Sequence, residues 1–117
     1  MRHNVKKLYL GLPKGQRKLL MYNLATSLIL EEKIKTTKAK AKALQGIMDK
    51  LINDAKHADK KTAIRKVSSL VQSEICSKKL VDEITKRYQD RNSGYTRISD
   101  MGFRAGDAAP IVQIELV

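Results

Sequence analysis

From Lys14 to about Leu30 the apolar positions share one broad helical face. Leu20, Leu24 and Leu28 form one row and Met21, Ala25 and Ile29 a second, with Asn23, Thr26 and Ser27 opposite. Lys33-Ile34-Lys35-Thr36 reads as a short strand-like link, and Thr36 or Thr37 can cap a second helix running to about Lys56. Its apolar stripe is Ala41, Leu44, Met48, Leu51, Ile52 and Ala55. Two shorter amphipathic runs follow, at about 60–72 (Ile64, Val67, Leu70, Val71) and 74–87 (Ile75, Leu80, Val81, Ile84). Beyond Tyr88 the period shortens, and the last thirty residues read as strand, loop and strand, the loop carrying Gly102 and Gly106. Val112, Ile114 and Leu116 alternate with Ile111, Gln113 and Glu115, so the final strand has one apolar face. An isolated hairpin is marginal in water, so the helices must cover that face.

These elements predict an α+β fold: about four helices packed on a small mixed β-sheet with a C-terminal hairpin. Residues 1–13 lack periodicity and read as a basic N-terminal arm, either ordered on a partner or simply a solvated terminus. Residues 14–117 read as a single domain, long enough to bury roughly two thirds of its unfolded surface. Four Tyr, one Phe and no Trp leave the core to aliphatic side chains and argue against a large aromatic-lined substrate pocket.

Charge changes the picture most. The chain has 24 Lys and Arg against 12 Asp and Glu, a net of +12, and an isoelectric point near 10.0. Residues 1–30 hold six cations and no acid, whereas residues 88–117 are close to balanced. Five lysines, Lys33, Lys35, Lys38, Lys40 and Lys42, occur without an intervening acid. Lys14, Arg17 and Lys18 open the first helix, where the macrodipole favours acids, so an external phosphate would relieve that local conflict. A basic balance this uneven points to a polyanion, with nucleic acid ahead of an anionic membrane. The cations after Asp59 alternate with Glu74, Asp82 and Glu83, as ordinary exposed helix faces do.

Other chemistry finds little support. The single Cys76 forms no internal disulfide and suits a reducing, cytoplasmic setting as a small core residue. The apolar run 19–30 is interrupted by polar residues and too short to span a bilayer, so no membrane insertion is expected. His3, His57 and Cys76 do not make a zinc cluster, and no cofactor is expected. Asp90-Arg91-Asn92-Ser93-Gly94 starts like a calcium loop, but Tyr95 and Met101 occupy its Gly and Glu positions. The segment Gly11–Gly15 lacks the Lys-Ser/Thr pair of a phosphate-cradling loop. Asp90, Asp100, Asp107 and Glu115 read as turn and strand-edge acids rather than a nuclease cluster. In the turn from Asp90 to Arg97, Asn92 and Gly94 suit tight geometry. Arg91, Tyr95 and Arg97 then project either as a phosphate fork and a base-stacking ring, or with Tyr95 folded into the core.

One set of stretches is informative together: Met1-Arg2-His3, Leu10-Gly11, Asn23–Leu28, Ile34, Thr36-Thr37 with Ala39–Lys42, Tyr88 with Asp90-Arg91-Asn92, Gly94–Ile98, Gly106–Pro110 and Ile114–Val117. These stretches resemble the family of bacterial large-subunit ribosomal protein seventeen. They run in order over essentially the whole chain. The resemblance implies a small α+β domain bound to large-subunit ribosomal RNA and to neighbouring large-subunit proteins, with a structural and assembly role, no catalysis and no small-molecule substrate. By position it implies RNA contacts at Arg2, His3, Lys6, Lys7, Arg17, Lys18, Lys38, Lys40, Lys42, Arg91, Tyr95, Arg97 and Arg104; charge placement adds Lys14, Lys33 and Lys35. Leu12 and Ala105 replace Arg of the family pattern, Gln16 replaces His, Ser93 replaces Gly and Phe103 replaces Pro. A nucleoid DNA-binding protein is the alternative from charge alone, although the helix at 38–56 offers few groove-reading side chains. A small nuclease is a third reading, with no tight constellation to support it.

Overall fold

The computed structural model describes residues 10–57, 59–71 and 74–117, with side chains omitted at Lys60, Leu70 and Val71. The arm residues Arg2, His3, Lys6 and Lys7 lie outside the described residues, and the side chains of the predicted core positions Leu70 and Val71 are among those omitted.

The periodic stretches fold as the pattern predicts. Helix α1 spans Lys14–Glu31 and buries Met21, Ala25, Leu28 and Ile29. It ends because Glu32 turns left-handed (φ 66°), its N–H donating to the Leu28 carbonyl at 2.8 Å. Strand β1 (Lys33–Thr37) leads directly into α2 (Lys38–His57), whose six predicted stripe positions are all buried. Helix α3 (Lys60–Val71) buries Ala63 and Val67, and its start is held by the Asp59 carboxylate accepting from the Thr62 N–H at 3.1 Å. The predicted run 74–87 is continuous but not uniformly α: α4 (Glu74–Lys79) passes through a π-helical turn (Leu80–Ile84) into a last α-turn, α5 (Thr85–Arg87). Cys76, Ser77, Leu80, Val81 and Ile84 face inward, which leaves the predicted core residue Ile75 about 100° away on the helix and 74% exposed.

Strands β2 (Thr96–Phe103) and β3 (Pro110–Leu116) form the hairpin. Among the described residues the sheet has three strands in the order β1-β3-β2, and both ladders are antiparallel. The expected mixed sheet is therefore corrected. The helical crossover brings β1 and β2 into the same direction, but β3 inserts between them, so they never pair. Gly102 also moves from the loop into β2, where the register shifts between Asp100 and Phe103 and Gly102 takes a φ of +99°.

Helix α2 packs against all three strands, over Val112, Ile114 and the half-buried Ile34, Ile98 and Leu116. Helices α1, α3 and the α4–α5 run pack around α2 to complete one aliphatic core. Among the described residues, no helix lies over the other sheet face. Along it the register places Lys33 and Arg97 on either side of Glu115, and Lys35 and Ser99 on either side of Gln113.

Candidate nucleic-acid interface

The predicted contact residues separate into distinct surfaces. Lys14, Arg17 and Lys18 lie in the first turns of α1, which carries no acid there. They line a groove between α1 and α2, of about 420 Å³, together with Lys50 from α2. Met21 and Leu51 form its buried floor, and the ring of Tyr22 lies in the same groove with the Lys18 ammonium 5.8 Å from its centroid.

On the uncovered sheet face, Lys33, Lys35 and Arg97 are exposed. Arg97 Nη1 lies 3.9 Å from Glu115 Oε1, a loose pair that leaves most of the guanidinium in solvent. Lys38, Lys40 and Lys42 follow where β1 passes into α2, whose first turn again lacks an acid. Lys38 shares a cleft with Phe103, Pro110 and Ile111, so the start of α2 adjoins the hairpin.

At the hairpin loop, Arg104 Nε and Nη2 donate to the Asp107 carboxylate at 3.1 and 2.5 Å. The hydrogen bonds from Arg104 hold the Asp107 carboxyl down at about 2, with the Ala109 N–H as a second donor. The guanidinium pKa rises for the same reason. The Arg104 N–H donates to the Ala109 carbonyl at 2.9 Å and the Ala108 N–H to the Arg104 carbonyl at 3.0 Å, closing the loop. Phe103 stands beside it, 77% exposed.

The turn before β2 settles the question left open at Tyr95. Arg91 is exposed, and its Nη1 donates to the Gly94 carbonyl at 3.1 Å, with Gly94 left-handed at φ 68°. Tyr95 is fully buried. Its hydroxyl donates to Asn53 Oδ1 at 2.5 Å, with the Arg91 carbonyl 2.9 Å away as a second acceptor. Lys56 Nζ donates to the same hydroxyl at 3.2 Å and sits 5.4 Å from the ring centroid. The Tyr95 N–H reaches Asp49 Oδ1 at 3.4 Å, and its ring packs on Tyr88 at 5.2 Å between centroids. Base stacking by Tyr95 is therefore ruled out in this fold: its ring pins the turn to α2, and the Arg91 and Arg97 side chains stay exposed.

Sequence reasoning missed Tyr22, Lys50 and Phe103. Tyr22 and Lys50 belong to helices whose pairing no local pattern specifies, so nothing in either segment marks them as sharing a groove. Phe103 was noted as a departure from the family pattern, but its projection from the bulged end of β2 is a property of the register.

Among the described residues, no three His, Cys, Asp or Glu side chains converge where a metal ion would be held, and no helix is long and apolar enough to cross a membrane. Burial pushes the Cys76 thiol up to about 11, so it is a poor nucleophile at neutral pH. The fold thus defines a small α+β protein whose exposed cations are spread over the α1–α2 groove, the open sheet face and the hairpin, a surface suited to an extended polyanion rather than to a reaction centre.

The model of the family described as ribosomal protein L17 matches residues 20–117. A large ribosomal subunit protein bL17 from Desulforudis audaxviator is 46% identical over 92% of this chain and 96% of its own length. The proteins of that name from Hyphomonas neptunium and Neorickettsia sennetsu are 45% and 41% identical over the whole of this chain, covering 83% and 100% of their own lengths. The chain belongs to the ribosomal protein L17 family, a family of structural constituents of the ribosome and not of enzymes.

Proposed function

We propose that this protein is built into the large subunit of the cytoplasmic ribosome, where it binds large-subunit ribosomal RNA through Lys and Arg contacts to phosphate and supports subunit assembly and translation. The family match across residues 20–117 carries this reading, because the relatives are named as large ribosomal subunit proteins. The placement of cations supports it: Lys14, Arg17 and Lys18 on α1, Lys33, Lys35 and Arg97 on the sheet, Lys38, Lys40 and Lys42 at the start of α2, and Arg91 and Arg104 in the turns. The proposal extends to the arm, residues 1–13, with Arg2, His3, Lys6 and Lys7 joining the contacts made by the domain of residues 14–117. Recognition on this reading is of RNA shape and backbone, and neighbouring large-subunit proteins are its other partners.

Sedimentation tests it. Lysate is resolved on a sucrose gradient, the large-subunit fraction is washed at rising salt, and the protein is followed in each wash. Retention through a moderate wash with steep release above it is expected, because each neutralised phosphate contributes about 0.7–0.9 to the log–log salt slope in nucleic-acid complexes. Recovery only in soluble or DNA-bound fractions would overturn the reading.

A further inference from the structure

We propose that the groove between α1 and α2 receives one unpaired RNA nucleotide, the base against Tyr22 and the apolar floor and the phosphate against the rim cations. This rests on the ribosomal RNA reading above and adds the kind of RNA element that this groove holds. Three features of the groove carry it.

The first is size and shape: about 420 Å³ between two helices lies within the roughly 300–1,000 Å³ of pockets that enclose small ligands. The second is the division of its lining. Met21 and Leu51 are buried beneath it, Ile47 and Tyr22 are half-buried walls, and Lys14, Lys18 and Lys50 are exposed above them. Among the described residues no carboxylate lines the groove. The third is the juxtaposition of the Lys18 ammonium and the Tyr22 ring at 5.8 Å, which offers charge and a π-face within the span of one nucleotide.

Charge complementarity selects this occupant over others. An RNA duplex keeps its bases stacked and presents phosphate and ribose, for which an apolar floor has no use. An apolar partner helix would use the floor but would strip water from the surrounding cations without replacing it. An unstacked nucleotide satisfies both halves of the lining.

The test uses the full chain and two fluorescein-labelled single-stranded RNA hexamers, one hexa-adenylate and one with abasic ribose at every position. Fluorescence anisotropy at moderate salt gives both affinities. Wild-type protein is expected to prefer the base-bearing strand by about tenfold, within the range for one stacked base. Tyr22→Leu, which keeps an apolar side chain, is expected to bring the affinity for the base-bearing strand down to that for the abasic strand. Tyr22→Phe should retain the preference, and Lys50→Gln should weaken both strands alike. Equal binding of the two strands by wild type overturns the proposal, and so does a preference that survives Tyr22→Leu. In either case, salt-dependent binding of the abasic strand and retention in the large-subunit fraction would leave the ribosomal reading intact. Failure to bind either strand, with the protein absent from the large-subunit fraction, would remove both.

Discussion

Tyr95 gives the most direct physical test, because the two roles open to it from sequence make opposite predictions for stability. As a fully buried ring, packed on Tyr88 and hydrogen-bonded to α2, it should carry a large truncation cost. Tyr95→Ala removes the aromatic volume and should cost about 3–5 kcal/mol. Tyr95→Phe keeps the ring but removes the hydroxyl, leaving Asn53 Oδ1 without its donor and Lys56 Nζ without one of its acceptors. That should cost about 1–3 kcal/mol, the usual penalty for a polar group left unpaired away from water. For a chain of this length 1 kcal/mol corresponds to about 4 °C in Tm. Thermal unfolding followed by circular dichroism should therefore show losses of about 4–12 °C for Phe and about 12–20 °C for Ala. RNA affinity of the Phe variant, measured well below its Tm, should match wild type. An exposed stacking ring would behave in reverse, with Tm nearly unchanged and affinity reduced. Shifts below about 2 °C for both variants would refute the anchoring role.

Three further outcomes are expected. Replacing Lys38, Lys40 and Lys42 together with Gln should lower the log–log salt slope of ribosomal RNA binding by about 2–3; an unchanged slope would take the start of α2 out of the interface. The Asp107 carboxyl should titrate at about 2 by carbon NMR, and Arg104→Ala should return it toward the ordinary range near ~3.9. Because its folded pKa is depressed, the Arg104–Asp107 clamp contributes fully above about pH 4 and is lost as pH falls through about 2, so a wild-type midpoint near ~4 would contradict the geometry. The Cys76 thiol, pushed up to about 11 by burial, should react with a disulfide reagent at pH 8 far more slowly in native protein than in denaturant, and prompt native labelling would show that the site opens. The sign is opposite to that of Asp107: burial of the neutral thiol stabilises below about pH 8.5 and is lost as pH rises through about 11.

The elements and much of the core were legible in the order of residues alone. The α2 stripe from Ala41 to Ala55 is buried at every predicted position, because a 3.6-residue period records which face of a helix avoids water. Val112 and Ile114 are buried for the equivalent reason with a period of two. Net charge and its concentration toward the N-terminal half were likewise plain without coordinates, since charge requires no geometry to count. Tertiary structure decided whatever depends on which elements meet. Ile75 looked like core within its own helix, but Cys76 and Leu80 face the neighbours and Ile75 faces solvent. The sheet is antiparallel because β3 inserts between β1 and β2, a consequence of long-range pairing that no segment encodes alone. Tyr95 went inward because Asn53 and Lys56 on α2 supply partners for its hydroxyl, some forty residues away along the chain. Tyr22 and Lys50 came to share a groove only because α1 packs on α2, so that groove became visible once the helices were paired.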